Sequence, residues 1–269
     1  MTDLTFGNAP SMPARRPGEL TAVLYREYTL LTRNGVNLLL GIVPMLVYLL
    51  LVSTSLSNVV GTIDYQGTRV PFFVFLLPFV MTMSVVGASG TTGMALFQEE
   101  MTGVSIQLWS YPLRKSRFLL GKMIAALSLV LAQTALGLVV AVLIFDYPFN
   151  AARWAGLIVT LILTSVTFNG LYMALAVSIT NFRTFTGISS LSLLVLVFAA
   201  PAFSPTSDLP TVLRWISWVN PVTYALDAMR DVSIFGFGSA WPSLAVLGGL
   251  AVIGNAVAIR GLLRRTRNL

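Results

Sequence analysis

Glu99 and Glu100 stand side by side, and a basic cluster of Arg114, Lys115 and Arg117 follows them after a short apolar segment. This is the most informative soluble stretch of the sequence. Such an arrangement can pair with charges or dock against a partner, but it cannot by itself break a bond. The chain has no histidine and no cysteine. That removes imidazole bases, thiolate nucleophiles, disulfides and most transition-metal sites together. No G-x-x-x-x-G-K-[ST] loop is present to cradle phosphates. Gly87, Gly90 and Gly93 precede no lysine and lie in an apolar run, where Ser89 and Gly93 read as a small-residue packing pair. The expectation is a chain that is not an enzyme and binds neither cofactor nor metal.

The elements that carry these residues belong in a membrane. Of 269 residues, 56% are hydrophobic and only 10% charged, with a mean hydropathy of +0.82; soluble domains carry roughly 25% charged residues. The net charge of +7 sits in short blocks between apolar runs. That suits anionic lipid headgroups and argues against nucleic acid. Six apolar stretches (36–56, 72–97, 118–145, 154–179, 184–203 and 241–259) each approach or exceed the roughly 20 residues that cross hydrocarbon. Backbone polar groups in lipid must be satisfied internally, so these are read as helices, with kinks at Pro44 and Pro78. The expected fold is an all-α integral membrane protein with six transmembrane helices. Its parts are a tail and interface helix over 1–35, a transmembrane domain over 36–259 and a basic tail over 260–269.

Residues 19–33 place Leu20, Val23, Leu24, Tyr28 and Leu31 at helical spacing, which predicts an amphipathic helix lying along the inner membrane surface. The first apolar run is too long for a cleavable signal, so the N-terminal stretch reads as a cytoplasmic tail. Of the 17 lysines and arginines, only Arg69, Arg153, Arg214 and Arg230 fall outside if the N-terminus is cytoplasmic. That bias predicts both termini inside. Trp154, Trp215, Trp218 and Trp241 then fall at the outer interface, and Lys122 is expected to snorkel to the inner headgroups.

The span cores hold no titrating group, which argues against a proton-driven pump and points to a partner as the energy source. Two connecting segments could do work. The inner loop over 98–117 has an apolar stretch between its acids and its bases, stopped by Pro112, that could dock on a cytoplasmic protein. An ordinary basic loop with a solvated face accounts for it equally well. The outer segment over 204–238 is long for a simple connection. Asp208 and Pro210 signal one short helix; Asn220 and Pro221 give a cap and first-turn proline for another. Val222, Ala225, Leu226, Met229 and Val232 form its apolar stripe, and Asp227 can pair with Arg230. The expectation is a re-entrant helix hairpin between spans five and six.

The run Asn220-Pro221-Val222-Thr223-Tyr224-Ala225-Leu226-Asp227-Ala228-Met229-Arg230 resembles the signature of the type-2 ABC exporter permeases, particularly drug-resistance members of the daunorubicin-exporter type. Glu99-Glu100, leading through Tyr111-Pro112-Leu113-Arg114 into Leu120-Gly121-Lys122, is similar to a second pattern of that family; Tyr111 and Val222 are slight departures. The resemblance implies a multi-pass permease of the plasma or inner membrane that exports a hydrophobic or amphipathic compound: a drug, antibiotic or lipid-like molecule. It implies cytoplasmic ABC ATPase subunits that carry ATP and Mg2+, and a second permease in a homo- or heterodimer. Coupling to the ATPase would fall to Glu99, Glu100, Thr102, Val104, Leu108 and Arg114, and the outer gate to Asn220, Pro221, Tyr224, Asp227 and Arg230. Thr82, Asn169 and Tyr172 are candidates for the pathway. Two alternatives stay open. One is a permease for a lipid-linked glycan with an aromatic lining at Phe72, Phe73, Phe75 and Phe79, a cluster that lipid-facing packing explains as well. The other is a stand-alone channel or ion-coupled carrier.

Overall fold

A computed structural model describes residues 18–33, 43, 46–104, 114–203, 205–206 and 209–265. The elements are α1 (Glu19–Arg33), a π-helical stretch Tyr48–Ser53 running into α2 (Thr54–Val60), β1 (Thr62–Tyr65), β2 (Thr68–Pro71), α3 (Phe72–Met101), α4 (Lys115–Ile144), α5 (Ala151–Ser178), α6 (Phe182–Phe198), α7 (Thr211–Val219), α8 (Pro221–Ile234) and α9 (Trp241–Arg265).

Among the described residues, four helices rather than six are long and apolar enough to cross a membrane: Phe72–Met101, Ser116–Ile144, Ala151–Ser178 and Trp241–Arg264. The expected span at 36–56 lies largely outside the described residues; its described end is the π-helical stretch and the start of α2. The expected span at 184–203 is α6, with 17 residues. At 1.5 Å per residue it reaches about 25 Å, short of a hydrocarbon core of about 30 Å. Pro201 accounts for the early stop, because it disfavours helical backbone at the residue before it.

α5 is the centre of the bundle, packed between α3, α8 and α9. Its crossings are set by glycine. A Cβ on Gly93 of α3 would lie 2.9 Å from the Cβ and 3.0 Å from the carbonyl of Tyr172. One on Gly170 would meet Asn255 of α9 at 2.5 Å, and one on Gly254 the Leu171 nitrogen at 3.0 Å. Backbones approach this closely only where side chains are small. Gly93 fulfils the packing role read from its spacing.

α1 runs alongside the first turns of α4 in parallel register. Glu19 pairs with Arg117 at 3.3 Å, Val23 packs where Gly121 has no side chain, and the Tyr28 hydroxyl donates to Ser128 Oγ at 2.8 Å. Only Val23 of α1 is fully buried, so one narrow stripe makes the contact.

Sequence reading missed the hairpin. β1 and β2 pair antiparallel, with Tyr65 opposite Thr68 across the turn residues Gln66 and Gly67. Their φ values of 52° and 80° are the two left-handed residues a tight two-residue hairpin requires. Asp64 Oδ1 accepts from the Gly67 N–H at 2.9 Å and fixes the turn.

Candidate functional site

The described coupling and outer-gate candidates lie at two places, towards opposite ends of α3. Glu99 sits at one end and Phe75 near the other, about 36 Å apart along the helix.

At the Glu99 end, four charges close a ring. Arg26 Nη1 lies 2.6 Å from Glu27 Oε1, and its Nη2 lies 2.7 Å from Glu99 Oε1. Lys122 Nζ lies 3.2 Å from Glu27 Oε2 and 3.0 Å from Glu99 Oε2. Each cation touches both carboxylates, so the ring is neutral and ties α1, α3 and α4 together. The Lys122 side chain is only 2% exposed, and both carboxylates are 12% exposed. Lys122 therefore does not snorkel to headgroups. It points inward, where two carboxylates and the Phe118 ring, 5.5 Å away, replace its hydration. Buried ions keep their charge only with partners of this kind.

The remaining residues named for coupling flank this ring. Glu100 is half-buried beside Glu99, Thr102 is exposed and Val104 half-buried where α3 ends. Gly103, at φ 74°, supplies the left-handed residue common just past a helix end. Arg114 opens α4, and its N–H donates to Glu19 Oε2 at 3.2 Å. Leu108 lies outside the described residues. Arg26 and Glu27 did not stand out in the sequence. An adjacent opposite pair on the face that otherwise packs was the available signal.

At the other end, α8 sits against α3, α5 and α9, whereas α7 packs only lightly, on α8. Asn220 Oδ1 caps α8 by accepting from the Val222 N–H at 2.9 Å, its amide donates to the Leu196 carbonyl at 3.0 Å, and Pro221 occupies the first turn. The Tyr224 hydroxyl donates to the Trp218 carbonyl at 2.6 Å, joining α8 to α7. Arg230 is wholly buried. Its Nε donates to the Phe75 carbonyl at 3.2 Å, Nη1 to Pro201 at 2.7 Å and Nη2 to Ala202 at 2.8 Å, while the guanidinium carbon lies 3.6 Å from the Phe75 ring centre. Pro78 removes the N–H that the Val74 carbonyl would accept, which loosens the turn containing Phe75. Arg230 is thus held by carbonyl dipoles and a ring face, not by the ion pair with Asp227 that its spacing suggested.

Asp231 anchors the missed hairpin. Its Oδ1 accepts from the Tyr65 hydroxyl at 3.0 Å and from Gln66 Nε2 at 3.2 Å. Burial raises the Asp231 carboxyl above its usual range, and the Tyr65 and Gln66 hydrogen bonds and Arg230 oppose that rise. Burial pushes Asp227 up to about 6, against the lowering effect of Arg230. Tyr65 is also raised, first by burial and then by the nearby carboxylates.

The pathway candidates are buried within this one chain. The Thr82 hydroxyl faces Met229 Sδ of α8 at 3.6 Å, Asn169 Nδ2 donates to Ser165 on its own helix, and Tyr172 covers Gly90 and Gly93. Phe72, Phe75 and Phe79 are buried in the core, so lipid does not face them. Among the described residues, no three Asp or Glu side chains converge in a way that could hold a metal ion.

Parts of this sequence are similar to known proteins. The "ABC transporter G family member 20" of Dictyostelium discoideum is 27% identical over 215 residues, covering 76% of this chain and 29% of that protein. The "Probable multidrug ABC transporter permease YbhR" of Escherichia coli K12 is 24% identical over 186 residues, covering 64% of this chain and 48% of the relative. The chain spans less than half the length of these relatives. The family description "ABC-2 type transporter" matches residues 18–234, a stretch that contains both the charge ring and the Asn220–Arg230 segment. This multi-pass membrane chain belongs to the ABC-2 type transporter family.

Proposed function

We propose that the chain is the permease subunit of an ATP-driven exporter in the cell membrane, moving a hydrophobic or amphipathic compound outward. Cytoplasmic ABC ATPase subunits supply the energy, and a second permease completes the pathway. The observation that supports this best is the charge ring of Arg26, Glu27, Glu99 and Lys122. Glu99 lies in the last turn of the helix before the expected docking loop and Lys122 in the first turns of the helix after it. A push on that loop reaches α3, α4 and α1 as one unit, because the ring joins all three. Glu100, Thr102, Val104 and Arg114 border the loop on its two sides and are the contacts proposed for the ATPase. The multidrug description of the Escherichia coli relative supports an amphipathic cargo.

Reconstitution in vesicles tests the reading, with daunorubicin and ethidium as amphipathic probes. Together with the ABC ATPase that co-purifies with it, the chain is expected to accumulate a probe only when ATP is supplied. Accumulation against a gradient by the chain alone would overturn the proposal.

A further inference from the structure

The last carbonyls of a helix have no intrahelical donor and must find one elsewhere. α6 ends at Phe198, and the residues that follow, Ala199, Ala200 and Pro201, offer no side-chain donor; Pro201 lacks even an N–H. The donors come from α8. Asn220 Nδ2 reaches the Leu196 carbonyl in the final turn at 3.0 Å. One turn and a bend later, Arg230 Nη1 and Nη2 take the carbonyls of Pro201 and Ala202 at 2.7 and 2.8 Å. Both donors come from one short segment, one at its start and one near its end.

We propose that Asn220 and Arg230 are positioning residues, Asn220 capping the last turn of α6 in trans and Arg230 holding the Pro201–Ala202 carbonyls just past it, so that α8 fixes where the Leu196–Ala202 segment stands. Three further observations favour this over incidental contact. Phe185 is the one fully buried side chain of α6, so packing alone holds the helix weakly. The planar guanidinium fork matches two neighbouring carbonyls, which a lysine ammonium cannot do. The third donor, Nε, and the stacked Phe75 ring tie the same cation to α3, which makes the capping end immobile against the core. α6 is therefore pinned at one end by polar bonds. At its other end it rests on a stacked Phe97–Phe185 pair, with ring centres 4.4 Å apart. The inference is independent of cargo and of any ATPase, and so can fail or stand separately from the transport reading.

Amide hydrogen exchange on the full chain in lipid nanodiscs tests it. Asn220→Ser keeps an oxygen to cap the Val222 N–H but lacks the donor to Leu196. Exchange over 195–203 is expected to rise about tenfold while α8 and α9 keep their wild-type rates, since one buried hydrogen bond corresponds to about that factor. Arg230→Gln is expected to do the same to a greater extent, and Arg230→Lys to fall between it and wild type. The proposal is overturned if Asn220→Ser leaves 195–203 at the wild-type rate. It is equally overturned if α8 loses protection as much as α6, because the side chain would then serve only its own helix.

Discussion

The Lys122 ammonium lies 3.0 Å from the Glu99 carboxylate, on a side chain only 2% exposed, in a ring that Arg26 and Glu27 complete. Removing one member leaves its neighbours buried and uncompensated. Lys122→Met places Glu27 and Glu99 against each other with Arg26 alone between them. The loss is expected to be about 3 kcal/mol, measurable by denaturant unfolding in mixed micelles. Arg117→Met, which breaks only the more exposed Glu19 pair, is expected to cost less than about 1 kcal/mol.

Gly93→Ala and Gly170→Ala both force atoms into occupied space. At Gly93 the obstacle is partly the Tyr172 backbone, which cannot rotate away. At Gly170 it is the Asn255 amide backed by its own backbone nitrogen. Each substitution is expected to cost about 1–3 kcal/mol and to lower the midpoint of thermal unfolding. Gly87→Ala meets nothing within 4 Å and is expected to be neutral or stabilising.

Tyr65→Phe keeps the ring contacts with Phe75 and Phe235 and removes only the donor to Asp231. About 1 kcal/mol of stability should be lost. Proteolysis at the Gln66–Gly67 turn is the sharper readout, because a hairpin freed from α8 is cut faster.

Asp227 gives a pH signature. Burial pushes its folded carboxyl up to about 6 from an ordinary value of 3.8, so the native state holds more protons between those values. Stability from this group is therefore lost as pH rises through that window. Asp227→Asn removes the effect. The variant is expected to gain on wild type from about pH 4 to about pH 6 and to hold that advantage above it, in thermal unfolding at matched ionic strength.

The sequence displayed its helices more openly than their lengths. Composition and apolar runs are enough to place α3, α4, α5 and α9 in a bilayer, because transfer energies sum along a run whatever its neighbours are. They could not show that α6 stops at Phe198, since that depends on one proline and on carbonyl partners 24 and 28–29 residues further along the chain. The cap and first-turn proline of α8 were legible because Asn220 and Pro221 act within a few residues. Arg230 was legible as an important position and not as a carbonyl donor. The charge ring was half visible: Glu99 stood out within its loop, whereas Arg26, Glu27 and Lys122 acquire meaning only when α1 lies beside α4. The hairpin at Gln66–Gly67 was missed because glutamine stands where asparagine usually announces such a turn.

The most direct test of the account measures ATP hydrolysis and probe transport together in the reconstituted complex, comparing wild type with Glu99→Gln. If the ring transmits the stroke from the ATPase to α3 and α4, the variant will continue to hydrolyse ATP while transport per ATP falls at least about tenfold. Transport that stays in proportion to hydrolysis, in a variant shown to insert and assemble normally, would contradict it.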